Sequence, residues 1–225
     1  MLKKHKKNNK TRLDIIKLSS KLFIEEGYTN TSAMKICKKL NISPGNLTFY
    51  FPSKEHLLAV IIDELFRFQD EILHKEMDEG MTSLHAYCLE LTAICAICEE
   101  DDIARDFYVS CYTSSIVLEL IRKNDTIKTK NVFSKYRPEW DDNMWKYTEN
   151  VVSGIEFGTM MTREDNTPLE YQIERTLSAI LNIYGVDENT INSTINQILN
   201  MDYRMLGKRI LDEFKKYVYS FDDFE

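Results

Sequence analysis

Between Thr31 and Glu55 the chain runs through a short amphipathic helix, a tight turn and a second short helix, and that order constrains its fold more than any other stretch. Thr31 or Ser32 can cap the first helix, whose apolar residues Ile36, Cys37 and Leu40 fall on one face. Asn41 sits where the chain must turn. The second helix opens at Ser43 with Pro44 at its first position, and Leu47 and Phe51 face inward. This is the layout of a helix-turn-helix, with the motif at about residues 32–51.

The segment resembles the DNA-binding domain of the TetR family of bacterial transcriptional regulators, over about residues 10–69. Upstream, Arg12-Leu-Asp-Ile-Ile16 through Leu22-Phe23-Ile-Glu-Glu-Gly-Tyr28 is similar to the family's first helix. The family pattern reads Ile-Ala-x-x-Ala-Gly-Val-Ser-x-Gly-x-Leu-Tyr-x-Tyr-Phe-x-x-Lys. Ile36, Ile42, Ser43, Gly45, Leu47, Tyr50, Phe51 and Lys54 fit it in register, whereas Cys37, Leu40, Asn41 and Thr48 depart from it. Asn for Gly at the turn is mild, because Asn tolerates the left-handed conformation. The resemblance implies a recognition helix that turns Ser43, Pro44, Gly45, Asn46, Thr48 and Phe49 toward the major groove. Asn46 is the candidate for a base edge, since its amide can pair bidentately with adenine. Tyr50, Lys54 and the cap at Thr31 or Ser32 are expected to grip phosphate.

Charge supports this independently. Residues 1–61 carry a net charge of +8 and residues 62–225 a net of -15, within the overall -7. A basic front end on an acidic body is therefore hidden by the average, and local charge decides phosphate binding. Lys3, Lys4, Lys6, Lys7 and Lys10, with Asn8 and Asn9, read as a basic flexible arm over residues 1–9. The resemblance implies that the rest, residues 70–225, is a larger effector-binding and dimerisation domain.

With only 7 Gly and 4 Pro and little strict apolar alternation, an all-α fold is expected. No run approaches the ~18 apolar residues of a membrane span, and the basic N-terminus lacks the apolar region of a signal peptide. A cytoplasmic protein with no membrane partner is expected. Amphipathic helices are expected over about 54–76, 82–99, 102–123, 127–136, 138–161, 168–184, 187–200 and 202–219.

Two of these carry stripes suited to pairing. Val151, Ile155 and Gly158 on one, with Gly154 allowing close approach, and Ile173, Leu177 and Ile180 on the other, are expected to form a homodimer interface. The resemblance implies the same four-helix arrangement. Periodicity alone leaves open that both stripes face the protomer's own core.

Cys95-Ala-Ile-Cys98 invites a metal or redox reading. Along a helix, however, His85 and Cys98 stand ~20 Å apart, too far for one zinc ion with ligands at ~2.0–2.3 Å. The cysteines are better read as buried small hydrophobes. His5, His56, His74 and His85 lack any Ser/His/Asp or HExxH context, so no enzyme, cofactor or metal is expected. Tyr87, Phe107, Tyr108, Tyr112, Trp145 and Phe157 are of the types that line apolar ligand cavities. The expectation is an all-helical, homodimeric regulator binding a palindromic double-stranded operator, a repressor released by a small molecule the sequence does not identify. An architectural or division-related DNA-binding protein without an inducer, and a protein-interaction module built on the acidic Glu99–Asp102 run, are the alternatives.

Overall fold

The computed structural model describes residues 2–76, 82–162 and 167–220; within these spans the side chains of 2–9, 67, 69–76 and 220 are not described. The helix break anticipated at Gly80 lies outside these residues. All regular structure among them is helical, as eleven α-helices. The head holds α1 (Leu2–Glu26), α2 (Ala33–Leu40) and α3 (Pro44–Tyr50), and α4 (Lys54–Glu76) leads out of it. The body holds α5 (Ser83–Glu100), α6 (Asp102–Thr113), α7 (Ser115–Phe133), α8 (Asp142–Met161), α9 (Leu169–Ile183), α10 (Glu188–Leu199) and α11 (Tyr203–Ser220). Residues 2–9, read from the sequence as an arm, continue the backbone of α1.

Local signals decide where the helices begin. Ser32, Ser43, Asp101, Ser114, Asp141 and Asp187 each accept a hydrogen bond from a backbone N–H one turn inside the helix they open. Such caps contribute about 1 kcal/mol apiece. Two expected boundaries are corrected by them. Ser114 ends α6 and starts α7, so the anticipated 102–123 and 127–136 helices are divided elsewhere. Pro138 opens no helix, because Asp141 makes the cap at Met144 N, 2.8 Å away.

Two apolar clusters hold the molecule together. One joins the head to the base of the body: Ile15, Phe23, Ile36, Leu47 and Phe51 continue through Leu58 and Ile61 into Phe107, Tyr108, Cys111 and Phe214. The other fills the body between α5, α8, α9, α10 and α11, with Cys88, Trp145, Ile173, Leu177, Ile180 and Tyr184. Each fully buried side chain of this size contributes about 1.5–3 kcal/mol. At Gly207 the α5 and α11 backbones come so close that a Cβ would lie 2.8 Å from the Ala93 carbonyl oxygen. One packed core thus crosses from head to body.

Candidate nucleic-acid interface and body cavity

The turn between α2 and α3 is set by Asn41, at φ 52, the one non-glycine residue with positive φ among those described. Its N–H and that of Ile42 bond back to the end of α2, at Lys38 O and Cys37 O, which closes the helix in the manner of a left-handed C-cap. Ile36, Cys37, Leu47 and Phe51 bury the inner faces of both helices. The outer face of α3 is open: Pro44, Gly45, Asn46 and Thr48 are exposed, and Phe49 is 71% exposed. The Asn46 amide has no side-chain partner among the described residues, whereas its N–H is held by Ser43 Oγ at 3.1 Å. Thr48 Oγ1 donates to Pro44 O at 3.2 Å, so that hydroxyl is engaged by its own helix. Tyr50 is half-buried and meets Phe49 edge-on at 5.0 Å. Lys38 and Lys39 are exposed on α2.

Two residues anticipated as phosphate contacts have other work. Thr31 is fully buried, donating from Oγ1 to Gly27 O at 2.8 Å; the cap of α2 is Ser32. Lys54 Nζ donates to Tyr28 O at 2.9 Å and to Thr31 O at 3.1 Å, and lies 3.7 Å from the Tyr28 ring centre. Loss of water on burial holds its pKa below the usual lysine value. Lys54 thus pins the start of α4 to the α1–α2 turn.

The six aromatic residues expected around one ligand do not come together. Phe107 and Tyr108 belong to the head–body core. Trp145 is stacked with Tyr184, which in turn stacks on Phe133 at 4.1 Å. Tyr87 and Tyr112 line a cavity of about 50 Å³ with Phe66, Leu91, Ile94, Lys128 and the carboxylates Asp125 and Glu156, backed by Phe157 stacking on Tyr112, whereas Phe107 and Tyr108 share a separate one of about 10 Å³.

Around that cavity the polar groups converge. Tyr112 OH donates to Glu156 Oε2 at 3.0 Å, Tyr87 OH to Glu156 Oε1 at 3.5 Å, and Tyr184 OH to Glu149 Oε2 at 3.1 Å. Burial, reinforced by the neighbouring Glu156, pushes the Glu149 carboxyl up to about 8. Burial likewise pushes Glu156 up to about 7, and raises Asp125 with help from both glutamates. These acids were missed in the sequence, although Glu149 and Glu156, seven apart, share a helix face with Val152 and Ser153, a signal that was present.

Helix α6 connects this region to the head. Arg105 donates from Nε to Met160 O at 3.1 Å and from Nη2 to Met161 O at 2.6 Å, holding the last carbonyls of α8. The next residue, Asp106, accepts from the Thr29 N–H at 2.8 Å and from the Thr29 hydroxyl, gripping the α1–α2 turn. Gly27, at φ +89, lets that carboxylate approach: a Cβ there would stand 2.9 Å from Asp106 Oδ2.

The expected pairing surface divides in two. On α8, Val151 and Gly158 are exposed and Ile155 half-buried, beside exposed Met144, Tyr147 and Met161. On α9, by contrast, Ile173, Leu177 and Ile180 are at most 1% exposed within the protomer's own core. They are therefore not the face α9 offers a partner; Tyr171, Arg175 and Ala179 are exposed instead. All five cysteines are free and buried, and burial pushes the Cys88 and Cys95 thiols up to about 12, which disfavours the reactive thiolate.

A basic head with a capped first helix, a left-handed turn and an open second helix defines a helix-turn-helix domain. The family described as "Bacterial regulatory proteins, tetR family" matches residues 15–61. The chain is 28% identical over 113 residues to the HTH-type transcriptional regulator HbdR of Aromatoleum sp. (strain CIB), covering 50% of this chain and 48% of that protein. It is 45% identical over 80 residues to the uncharacterized HTH-type transcriptional regulator YuxN of Bacillus subtilis (strain 168), covering 36% of this chain and 28% of that protein. Full-length TylP, a TetR regulator from Streptomyces fradiae, aligns over 92% of this chain and 98% of its own at 15% identity and a TM-score of 0.49. The aligned regions thus span about half or less of the curated relatives' length. Residues 15–61 are therefore similar to the helix-turn-helix domain of that family.

No helix among the described residues is long and apolar enough to cross a membrane.

Proposed function

We propose that the chain is a sequence-specific transcriptional regulator that binds a palindromic operator as a homodimer and is released from it by a small-molecule effector held in the body. The carrying observation is the exposed outer face of α3, mounted on a buried core and presenting an unpartnered Asn46 amide. In this reading Ser43, Pro44, Gly45, Asn46, Thr48 and Phe49 enter the groove, with Ser32 and Tyr50 at the flanking phosphates. Val151, Ile155 and Gly158 of α8 face a second copy. The domain division follows: residues 10–69 bind DNA and 70–225 hold the effector and the dimer contacts.

Release fits the ties of α6, since Arg105 holds α8 and Asp106 holds the turn before α2. Two recognition helices must stand ~34–36 Å apart to reach successive major grooves, so a shift of a few ångströms breaks register. The relatives described as transcriptional regulators support the regulator reading over an enzyme. Selection from random duplexes by the purified protein tests it. A palindrome with half-sites about one helical turn apart is expected; recovery of unrelated sequences bound equally well would favour an architectural role.

A further inference from the structure

The carboxylates of Asp125, Glu149 and Glu156 each place an oxygen within 4.8 Å of the others. Two come from one face of α8 and the third from α7, so the trio is fixed by helix packing and not by a loop. Glu149 is 1% exposed, and after Oε2 is taken by Tyr184 its Oε1 has no hydrogen-bond partner. An acceptor buried without a donor is costly. Three acids drawn together raise that cost through mutual repulsion, unless a positive charge stands between them.

The cations that face the trio, Arg122 toward Glu149 and Lys128 toward Glu156, are shared with other partners and offset the burial of the acids only in part. Arg122 Nε donates to Ser153 Oγ at 2.8 Å, and Lys128 is paired with Glu90. The remaining titratable neighbours, Tyr87, Tyr112 and Tyr184, donate hydrogen bonds but bring no charge.

We propose that Asp125, Glu149 and Glu156 form a binding site for a hard divalent cation such as Mn²⁺, Mg²⁺ or Ca²⁺, and that this ion is an effector of the regulator. This replaces the expectation from sequence that no metal is bound, and it rests on the ligand-responsive reading above. The donor set is all oxygen, which selects hard ions over zinc or copper. Oxygens up to 4.8 Å apart suit one ion with metal–oxygen distances of about 2.0–2.6 Å. Asp125 and Glu156 line the cavity of about 50 Å³, which has room for an ion with a water ligand, and half-buried Asp125 gives the way in. Glu156 also accepts from Tyr112 of α6, the helix that grips the head through Asp106, so binding is linked to the recognition helices.

The test is titration of the full chain, stripped with chelator, with Mn²⁺, read by loss of the free-ion paramagnetic resonance signal. One ion per protomer is expected, with at least about tenfold weaker binding in Glu149→Gln and Asp125→Asn. Both variants remove repulsion and so keep the fold, which melting of the chelated proteins checks. No saturable binding by Mn²⁺, Mg²⁺ or Ca²⁺, or binding unchanged in both variants, overturns the proposal, as does stabilisation by alkylammonium ions alone. Operator titration with and without Mn²⁺ separates the two readings. Mn²⁺ bound at the trio without change in operator affinity overturns its role as effector, whereas release by some other compound with no metal bound keeps the regulator and discards the site.

Discussion

The Lys54 ammonium stands 3.7 Å from the centre of the Tyr28 ring and donates at 2.9 Å to the carbonyl of the same residue. One side chain therefore closes the C-terminal side of the α1–α2 turn and fixes where α4 departs. A lysine so placed is expected to contribute to stability more than to phosphate binding. Lys54→Ala is expected to destabilise the head by about 1–3 kcal/mol, from a cation–π contact and two charge-assisted hydrogen bonds. Chemical denaturation measures the loss. The salt dependence of DNA binding by the folded fraction should stay as in the parent; a slope shallower by about one charge would return Lys54 to the phosphate.

On α3 the expected consequence is different in kind. Asn46 contributes nothing to the core, so Asn46→Ala should melt as the parent does. At the preferred site it should lose about 1–3 kcal/mol of binding and relax discrimination at one base position. Anisotropy titrations of specific and random duplex decide this, and equal behaviour of variant and parent would reassign the recognition face.

The head was legible in the sequence because its signals are local: Ser43-Pro44 opens a helix, Asn41 accepts a left-handed turn, and Ile36 and Leu47 mark the inner faces. Less was legible where a residue's partner lies far along the chain. That Ser32 and not Thr31 is the cap follows from Thr31 reaching back to Gly27. Ile173, Leu177 and Ile180 have the same spacing whether they meet a second copy or the protomer's own α5 and α10, and periodicity carries no information on which. Tyr87 and Tyr112 gave no sign that their hydroxyls meet at Glu156, a residue that reads as a surface acid until its helix is packed.

That burial predicts a split between two variants. Ile173→Ala removes a side chain packed in the core and should cost the protomer about 2–5 kcal/mol without weakening the dimer of the folded protein. Gly158→Arg lies on the open face of α8, where a Cβ meets nothing within 4 Å, so the protomer should fold. If the proposed interface is right, the buried charge splits the dimer. Sedimentation at low micromolar concentration reads the outcome, and an unchanged dimer mass would move the interface off α8.

The buried acids predict an unusual pH dependence in chelated protein. Glu149, ordinarily at 4.5, is held at about 8 in the fold, and Glu156 at about 7, so the native state binds protons the unfolded chain has released. Stability from these groups is present below the unfolded value near 4.5 and is lost as pH rises through 7 to 8. The melting temperature should fall across that window. Glu149→Gln, which cannot ionise, should flatten the fall and melt higher at pH 8, by about 2–4 °C for each kcal/mol recovered. A parent curve flat from pH 5 to 8 would contradict the burial of an unpaired charge.

The last expectation concerns Asp106, whose carboxylate takes both the N–H and the hydroxyl of Thr29. It is the polar link between α6 and the turn that precedes the recognition unit, and Arg105 beside it ties the same helix to the end of α8. Asp106→Ala leaves the apolar core intact but frees the turn, so Thr29 amide exchange should quicken while the amides of α8 keep their protection. Coupling between sites requires an element whose two arrangements both ligands bias. With the link removed, an effector should bind the body as before but release the operator less completely. A tenfold loss of release corresponds to about 1.4 kcal/mol of coupling. Operator titrations of parent and variant, each with Mn²⁺ and with chelator, measure that difference. Equal release in both would mean that coupling runs through the packed core of Phe107, Tyr108 and Phe214 and not through this pair of hydrogen bonds.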